Sequence, residues 1–273
     1  MPPTTASAGI ANRCIHQLRL FFIALQFFTR VPIPRWVGFE PGWLQHAVRY
    51  FPLVGIVVAL FTGAVYALSV QLWPQPVAVL LSTIAGMVLT GAFHEDGFAD
   101  VCDGFGGGLT RDRVLDIMKD SRIGAYGAIG VASLLALKCV VLAGLPPQGV
   151  VTALLLAHPL SRLLATALIW RLDYVKAEGK AKPLAQQIST PEFCIAALTA
   201  LFPALVLGAI GWISWYSMLI GVAVAALAAA WLVKLFVRRI GGYTGDRLGA
   251  VQQVTEVAFY LALLASVPYA VAH

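Results

Sequence analysis

FPLVGIVVALFTGAVYALSVQL, residues 51–72, contains no charged side chain, and as an α-helix it is long enough to cross the roughly 30 Å hydrocarbon core of a bilayer. Working outward from it, six further apolar runs have comparable length: 77–94, 124–143, 150–170, 193–211, 216–237 and 255–272. The whole chain has 273 residues, of which 59% are hydrophobic and 12% charged, against roughly 25% charge in an ordinary soluble domain. The mean hydropathy is +0.82. These features predict an all-α, polytopic integral membrane bundle of about seven transmembrane helices, forming a single membrane domain over 1–273. The shorter run LFFIALQFF (20–28) lies between Arg19 and Arg30 and has no small-residue cleavage site after it, so it reads as an interfacial helix ended by Pro32 and Pro34 rather than a signal peptide or a span. It belongs to an N-terminal interfacial segment, 18–49, that follows a flexible 1–17.

Charge then orients the bundle. The connections WPQP (73–76), LPPQG (145–149) and GWISW (211–215) carry none, whereas 94–122, 171–192 and 238–253 hold most of the Lys and Arg, joined by Arg30, Arg35 and Arg49 near the N-terminus. Under the positive-inside rule the basic connections face the cytoplasm, which puts the N-terminus inside and the C-terminus outside at the cell inner membrane. The net charge of +6 is thereby explained by topology, with no basic arm to bind nucleic acid. Cys14, Cys102, Cys139 and Cys194 are scattered, which excludes a disulfide framework and a zinc cluster.

One polar island interrupts the apolar pattern, HEDGFADVCDGFGGGLTRDRVLDIMKDSRIG (94–124). Asp96, Asp100 and Asp103 stand at i, i+4 and i+7, one face of a helix if the second span continues past His94. Asp116 and Asp120 repeat the i, i+4 spacing, and the glycine-rich GFGGG (104–108) gives the flexibility to close one acidic face on the other. Five carboxylates this close repel unless a cation sits among them. Hard oxygen ligands select Mg2+ in the cytoplasm, and one or two such ions serve in-line displacement at phosphorus. Asp96, Asp100, Asp103, Asp116 and Asp120 are therefore the expected metal ligands, with Lys119, Arg122, Arg111 and Arg113 placed to neutralise phosphate.

These residues resemble those of the adenosylcobinamide-GDP ribazoletransferase (cobalamin synthase) family, whose H-x-D-G-x-A-D-x-x-D-G run stands here at 94–104 and whose I-M-K-D-S-R-I-G block stands at 117–124. Further matches are LQFFTRVPIPR (25–35), FPLVG (51–55), Ser161-Arg162 and GGYTGDRLGA (241–250). The chain departs at Glu95, often Leu in the family, and at Asp116, often Glu, which keeps the carboxylate. A more distant similarity is to the CDP-alcohol phosphotransferases, whose D-x-x-D-G and D-x-x-x-D elements look like Asp100-x-x-Asp103-Gly104 and Asp116-x-x-x-Asp120. Here the two elements are closer together.

The resemblance implies transfer of the adenosylcobinamide-phosphoryl group from adenosylcobinamide-GDP to α-ribazole or its 5′-phosphate, with release of GMP. It implies Asp100, Asp120 and Arg122 as catalytic residues, Asp120 being either the base or a metal ligand, and Lys119, Ser121, Arg162, Thr244 and Asp246 as substrate-binding residues. Arg162 lies inside the fourth span, where an unpaired Arg costs at least about 2.5 kcal/mol, so it is expected to face the active cavity and meet an acid or phosphate. Lys138 and Lys234, nearer the ends of their spans, read as snorkelling. His94 reads as structural, with a proton carrier as the lesser alternative. A lipid-directed CDP-alcohol phosphotransferase and a polytopic transporter are the competing functions, and homo-oligomerisation stays open.

Overall fold

The computed structural model describes residues 5–175 and 187–266. Among these there is no β-strand, only an isolated bridge between Tyr174 and Tyr243, and the chain is a polytopic helical membrane protein. Its helices are α1 (Thr5–Phe28), α2 (Pro41–Ala47), α3 (Phe51–Ser69), α4 (Gln75–Thr90), α5 (Phe93–Gly107), α6 (Arg111–Ile117), α7 (Ala125–Ala143), α8 (Pro147–Arg171), α9 (Thr190–Ala209), α10 (Trp215–Ile240) and α11 (Gly245–Ser266). Six helical stretches are long and apolar enough to cross a membrane, counting Pro41–Ser69 as one, and α4 with α5 makes a seventh only as a pair bent by 90°.

That bend revises the expectation of a second span continuing straight past His94. The α4 helix ends in a Schellman-type turn, the Ala92 N–H donating to the Met87 carbonyl at 2.9 Å. Gly91 and Ala92 are both left-handed, with φ of 66° and 56°. Two such residues in succession turn the chain out of the helix axis, and Ala92 is the one described non-glycine residue with positive φ. The aspartates keep their helical spacing, but on a separate helix. The expected hinge GFGGG is likewise mostly ordered, since α5 runs on to Gly107.

The α11 helix also differs from expectation. It starts at Gly245, ten residues before the expected 255, so Asp246, Arg247, Gln252 and Gln253 are helical rather than in a cytoplasmic connection. These polar residues lower the local hydropathy, yet they are stable in the bundle because α11 packs on α5, α7, α8 and α10 and turns them inward. At the other end of the chain α1 starts at Thr5, well before residue 18. Ile23, Ala24, Leu25 and Phe28 are buried against Phe51, Val54 and Val58 of α3.

Candidate active site

The acidic helix α5 is fixed by its neighbours at three depths. At Gly97 it meets the start of α11 backbone to backbone: a Cβ there would lie 2.7 Å from the Asp246 carbonyl oxygen, so only glycine permits the approach. One turn deeper, Gly249 of α11 lies against the His94 backbone, and beyond it Gln253 donates to Glu95 at 2.9 Å. This packing brings the Asp96 and Asp100 turn of α5 beside Asp246 at one end of the bundle. Asp96 is exposed and Asp100 and Asp246 are partly exposed, as ligand-binding carboxylates need to be.

The turn before α11 is itself held in place. Tyr243 N–H donates to the Asp173 carbonyl at 3.2 Å and Val175 N–H to the Tyr243 carbonyl at 3.0 Å. Thr244 is fully buried and its hydroxyl is 3.4 Å from Asp246 Oδ2. Arg247 is also fully buried, its guanidinium between the rings of Phe105 and Phe236 and donating to the Gly242 carbonyl at 2.8 Å. Arg247 therefore braces the turn from within.

The remaining aspartates stand in other surroundings. Asp103 is buried, and its two oxygens accept from the backbone N–H groups of Gly124 at 2.7 Å and Gly127 at 2.8 Å. It caps the N-terminus of α7 from a different helix, where orphan amides and the helix dipole favour a negative charge. Asp116 is exposed at the end of α6. Asp120 forms a fork with Arg122, accepting from Nη2 at 2.7 Å, Nε at 3.0 Å and the backbone N–H at 3.1 Å. Those bonds hold its carboxyl down to about 2 and raise the guanidinium, which makes Asp120 a weak base in this arrangement. Lys119 and Ser121 are exposed beside it. Among the described residues no three His, Cys, Asp or Glu side chains gather as a metal cage would require. The donor chemistry that does fit Mg2+ is narrower: the α5 carboxylates Asp96 and Asp100, leaving positions for water and substrate phosphate.

A second polar assembly, near the middle of α8 and α11, centres on two residues that the sequence reading passed over, His158 and Glu256. Glu256 is buried and pairs with Lys138 of α7 and with His158 Nδ1 of α8 at 3.1 Å. It also accepts from Tyr260 at 3.1 Å and Gln252 at 2.5 Å. Lys138 is thus an ion-pair partner, 6% exposed, and not a snorkelling residue. Lys234 is exposed on α10. Arg162 is 2% exposed; its Nη1 donates to the His158 carbonyl at 3.0 Å and its Nε–H has no partner. A cavity of about 20 Å3 touches His94, Glu95, Lys138, His158, Arg162 and Glu256, room for a water molecule. Glu95 lines it together with Glu256, and Glu95 Oε2, Gln252 Oε1 and Gln253 Oε1 are unpartnered. The signal was available, since an ionisable residue inside a span is a functional candidate wherever it falls, and Lys138, His158 and Glu256 all lie in spans.

The fold and this site define a multi-pass helical membrane protein with an acidic helix end set against a glycine-rich turn. Residues 20–264 match the family described as Cobalamin-5-phosphate synthase, and the chain belongs to that family. It is 47% identical over 258 residues to the adenosylcobinamide-GDP ribazoletransferase of Leptothrix cholodnii, covering 93% of this chain and 97% of the relative. It is 43% identical over 262 residues to that of Shewanella frigidimarina, covering 92% and 96%, and 46% identical over 254 residues to that of Shewanella woodyi, covering 91% and 96%. No solved structure matches the chain.

Proposed function

We propose that the protein transfers the adenosylcobinamide-phosphoryl group of adenosylcobinamide-GDP to the ribose 3′-hydroxyl of α-ribazole or its 5′-phosphate, the last assembly step of cobalamin. The observation that carries this reading is the backbone contact of Gly97 with Asp246, which joins the two motifs of the family at one end of the bundle. The hydroxyl oxygen attacks the phosphorus next to cobinamide, the bond from that phosphorus to the oxygen of GMP breaks, and the hydroxyl proton passes to solvent water at this exposed end of the bundle. Charge grows on the nonbridging and leaving oxygens.

Asp96 and Asp100 are the residues that would hold Mg2+ with the diphosphate, and a bound Mg2+ supplies charge neutralisation at the phosphoryl oxygens. Lys119 and Arg122 add positive charge from the exposed α6–α7 connection. Ser121 lies in the same connection, and the partly exposed Asp246 adds a carboxylate near the α5 turn, with the buried Thr244 behind it. Since Arg122 keeps Asp120 weakly basic, Asp120 is better suited to hold that guanidinium toward phosphate than to remove a proton. We place this end of the bundle on the cytoplasmic face of the inner membrane, because the basic residues of 94–122 and 238–253 collect there while 73–76, 145–149 and 211–215 are uncharged. The test is protein in vesicles with Mg2+, adenosylcobinamide-GDP and α-ribazole, scored by GMP release and by the mass of the corrinoid product. Release of GMP that needs both substrates supports the reading; its absence overturns it.

A further inference from the structure

Four side chains that line the cavity of about 20 Å3 carry a buried polar atom with no partner among the described residues: Glu95 Oε2 on α5, the Arg162 Nε–H on α8, and Gln252 Oε1 and Gln253 Oε1 on α11. Glu95 is 8% exposed and the other three 2%. Neighbouring atoms of the same side chains are engaged. Gln253 donates to Glu95 Oε1, Gln252 donates to Glu256, and Arg162 Nη1 donates to the His158 carbonyl. With each amide NH2 directed at a carboxylate, each amide oxygen is left as an acceptor. The set therefore offers one donor and three acceptors, and groups buried this deep are costly while unmet. A cation would suit the acceptors but repel the Arg162 guanidinium and leave its N–H unmet. An apolar ligand would meet none of the four. Water accepts as well as donates, and a void of this size admits one molecule.

We propose that this cavity is the site of one ordered water that ties Glu95 to Arg162, and that Glu95 is thereby a positioning residue for the acidic face of α5. The water accepts from the Arg162 Nε–H and donates to Glu95 Oε2 and to one of the glutamine oxygens. The inference rests on the ribazole-transfer reading for the task of α5, whose Asp96 and Asp100 hold Mg2+ there. The contacts at Gly97 and Gly249 set how closely α5 approaches α11, but two backbones meeting at glycine leave α5 free to turn about its axis. A carboxylate anchored on the buried side removes that freedom. Glu95 directly precedes Asp96 and stands five residues before Asp100, so its anchor fixes the angle at which both are presented. A turn of about 20° carries a carboxylate at the rim of a helix through about 2 Å, a displacement large enough to disable a site that works by placement.

The first test is a crystal structure of the full chain at a resolution that shows ordered waters. A water within about 3.2 Å of both Arg162 Nε and Glu95 Oε2 supports the proposal. A direct Glu95–Arg162 ion pair, a bound cation or no density at that place overturns it. The second test separates positioning from packing, with melting temperatures measured alongside activity in vesicles. In Glu95→Leu the Mg2+ concentration for half-maximal GMP release should rise about fivefold or more, and turnover should fall about tenfold or more. Glu95→Gln keeps an oxygen for Gln253 and turns its NH2 to the water, which then donates to both glutamine oxygens, so its Mg2+ requirement should stay within about twofold of the parent. If Glu95→Leu does not fold, Glu95→Asp, which draws the carboxylate back by one carbon, takes its place. Leu and Gln variants that share one Mg2+ requirement, whatever their melting temperatures, overturn the positioning role. A parent that releases no GMP overturns the reaction instead, and the crystal structure still decides the water.

Discussion

The end of α5 and the middle of α11 handle charge in opposite ways. Asp96, Asp116 and Asp120 are exposed to water, and Asp120 is held there only by Arg122, two residues further along the chain. Glu256 is buried among Lys138, His158, Tyr260 and Gln252, where bulk water is absent and its own two oxygens are met by protein groups. The exposed set is easy to see in a sequence because it is dense, yet density did not bring its carboxylates together. The buried set is sparse, with one ionisable ion-pair member from each of α7, α8 and α11, and is the one in which charges from different helices meet. Close spacing along a helix fixes a face; burial fixes a partner.

The comparison is broken most directly at Glu256. Replacing it by Ala leaves Lys138 buried and unpaired, and loss of one member of such a pair costs about 3–5 kcal/mol. The Glu256→Ala protein should therefore melt far below the parent in detergent or nanodiscs. A Glu256→Leu, Lys138→Met double variant should regain much of that loss, since an apolar replacement of both partners removes the uncompensated charge. If the single variant melts with the parent, the buried assembly is not what holds α7, α8 and α11 together.

The next effects separate the aspartates from one another. Asp100→Ala should lower turnover by about a hundredfold or more if it holds charge at the phosphoryl group, with little change in melting because Asp100 is partly exposed. Asp103→Ala should do the reverse in kind: loss of the cap on Gly124 and Gly127 costs about 1–3 kcal/mol, read as a lower melting temperature. Asp103→Asn keeps one acceptor oxygen and should fall between. Equal losses of turnover at unchanged stability for Asp100→Ala and Asp103→Ala would put Asp103 back among the metal ligands.

Much of this was legible in the sequence, and what was not has definite physical causes. The uncharged run 51–72 gave a span because hydropathy alone decides whether a helix can enter lipid, and the family motifs were legible because they are dense. The α4–α5 break was hidden: Gly91 announces a helix end, but Ala92 in a left-handed conformation is set by tertiary packing and leaves no local signal. The early start of α11 was hidden because Asp246, Gln252, Gln253 and Glu256 lower hydropathy, and only the surrounding helices make them affordable in a membrane. Asp103, at i+7 from Asp96, reads like its neighbours on the same helix face. Its different role depends on where α7 begins, which is a matter of packing.

The smallest effect belongs to Asp120, and it is informative for that reason. Its carboxyl is held at about 2, against an ordinary 3.8, by the Arg122 hydrogen bonds. A depressed folded value means that the Asp120–Arg122 pair is intact above pH 3.8 and is lost only as pH falls through about 2. Both side chains are exposed, so water and salt screen the pair and Asp120→Asn should leave the melting temperature nearly unchanged. If the role of Asp120 is to orient Arg122, the Asn variant should lose turnover modestly while the pH profile between 5 and 8 keeps its shape, since a group ionised throughout that range cannot produce a limb within it. A limb near neutrality that disappears in Asp120→Asn would instead make Asp120 the base, with its proton affinity raised only when substrate displaces Arg122.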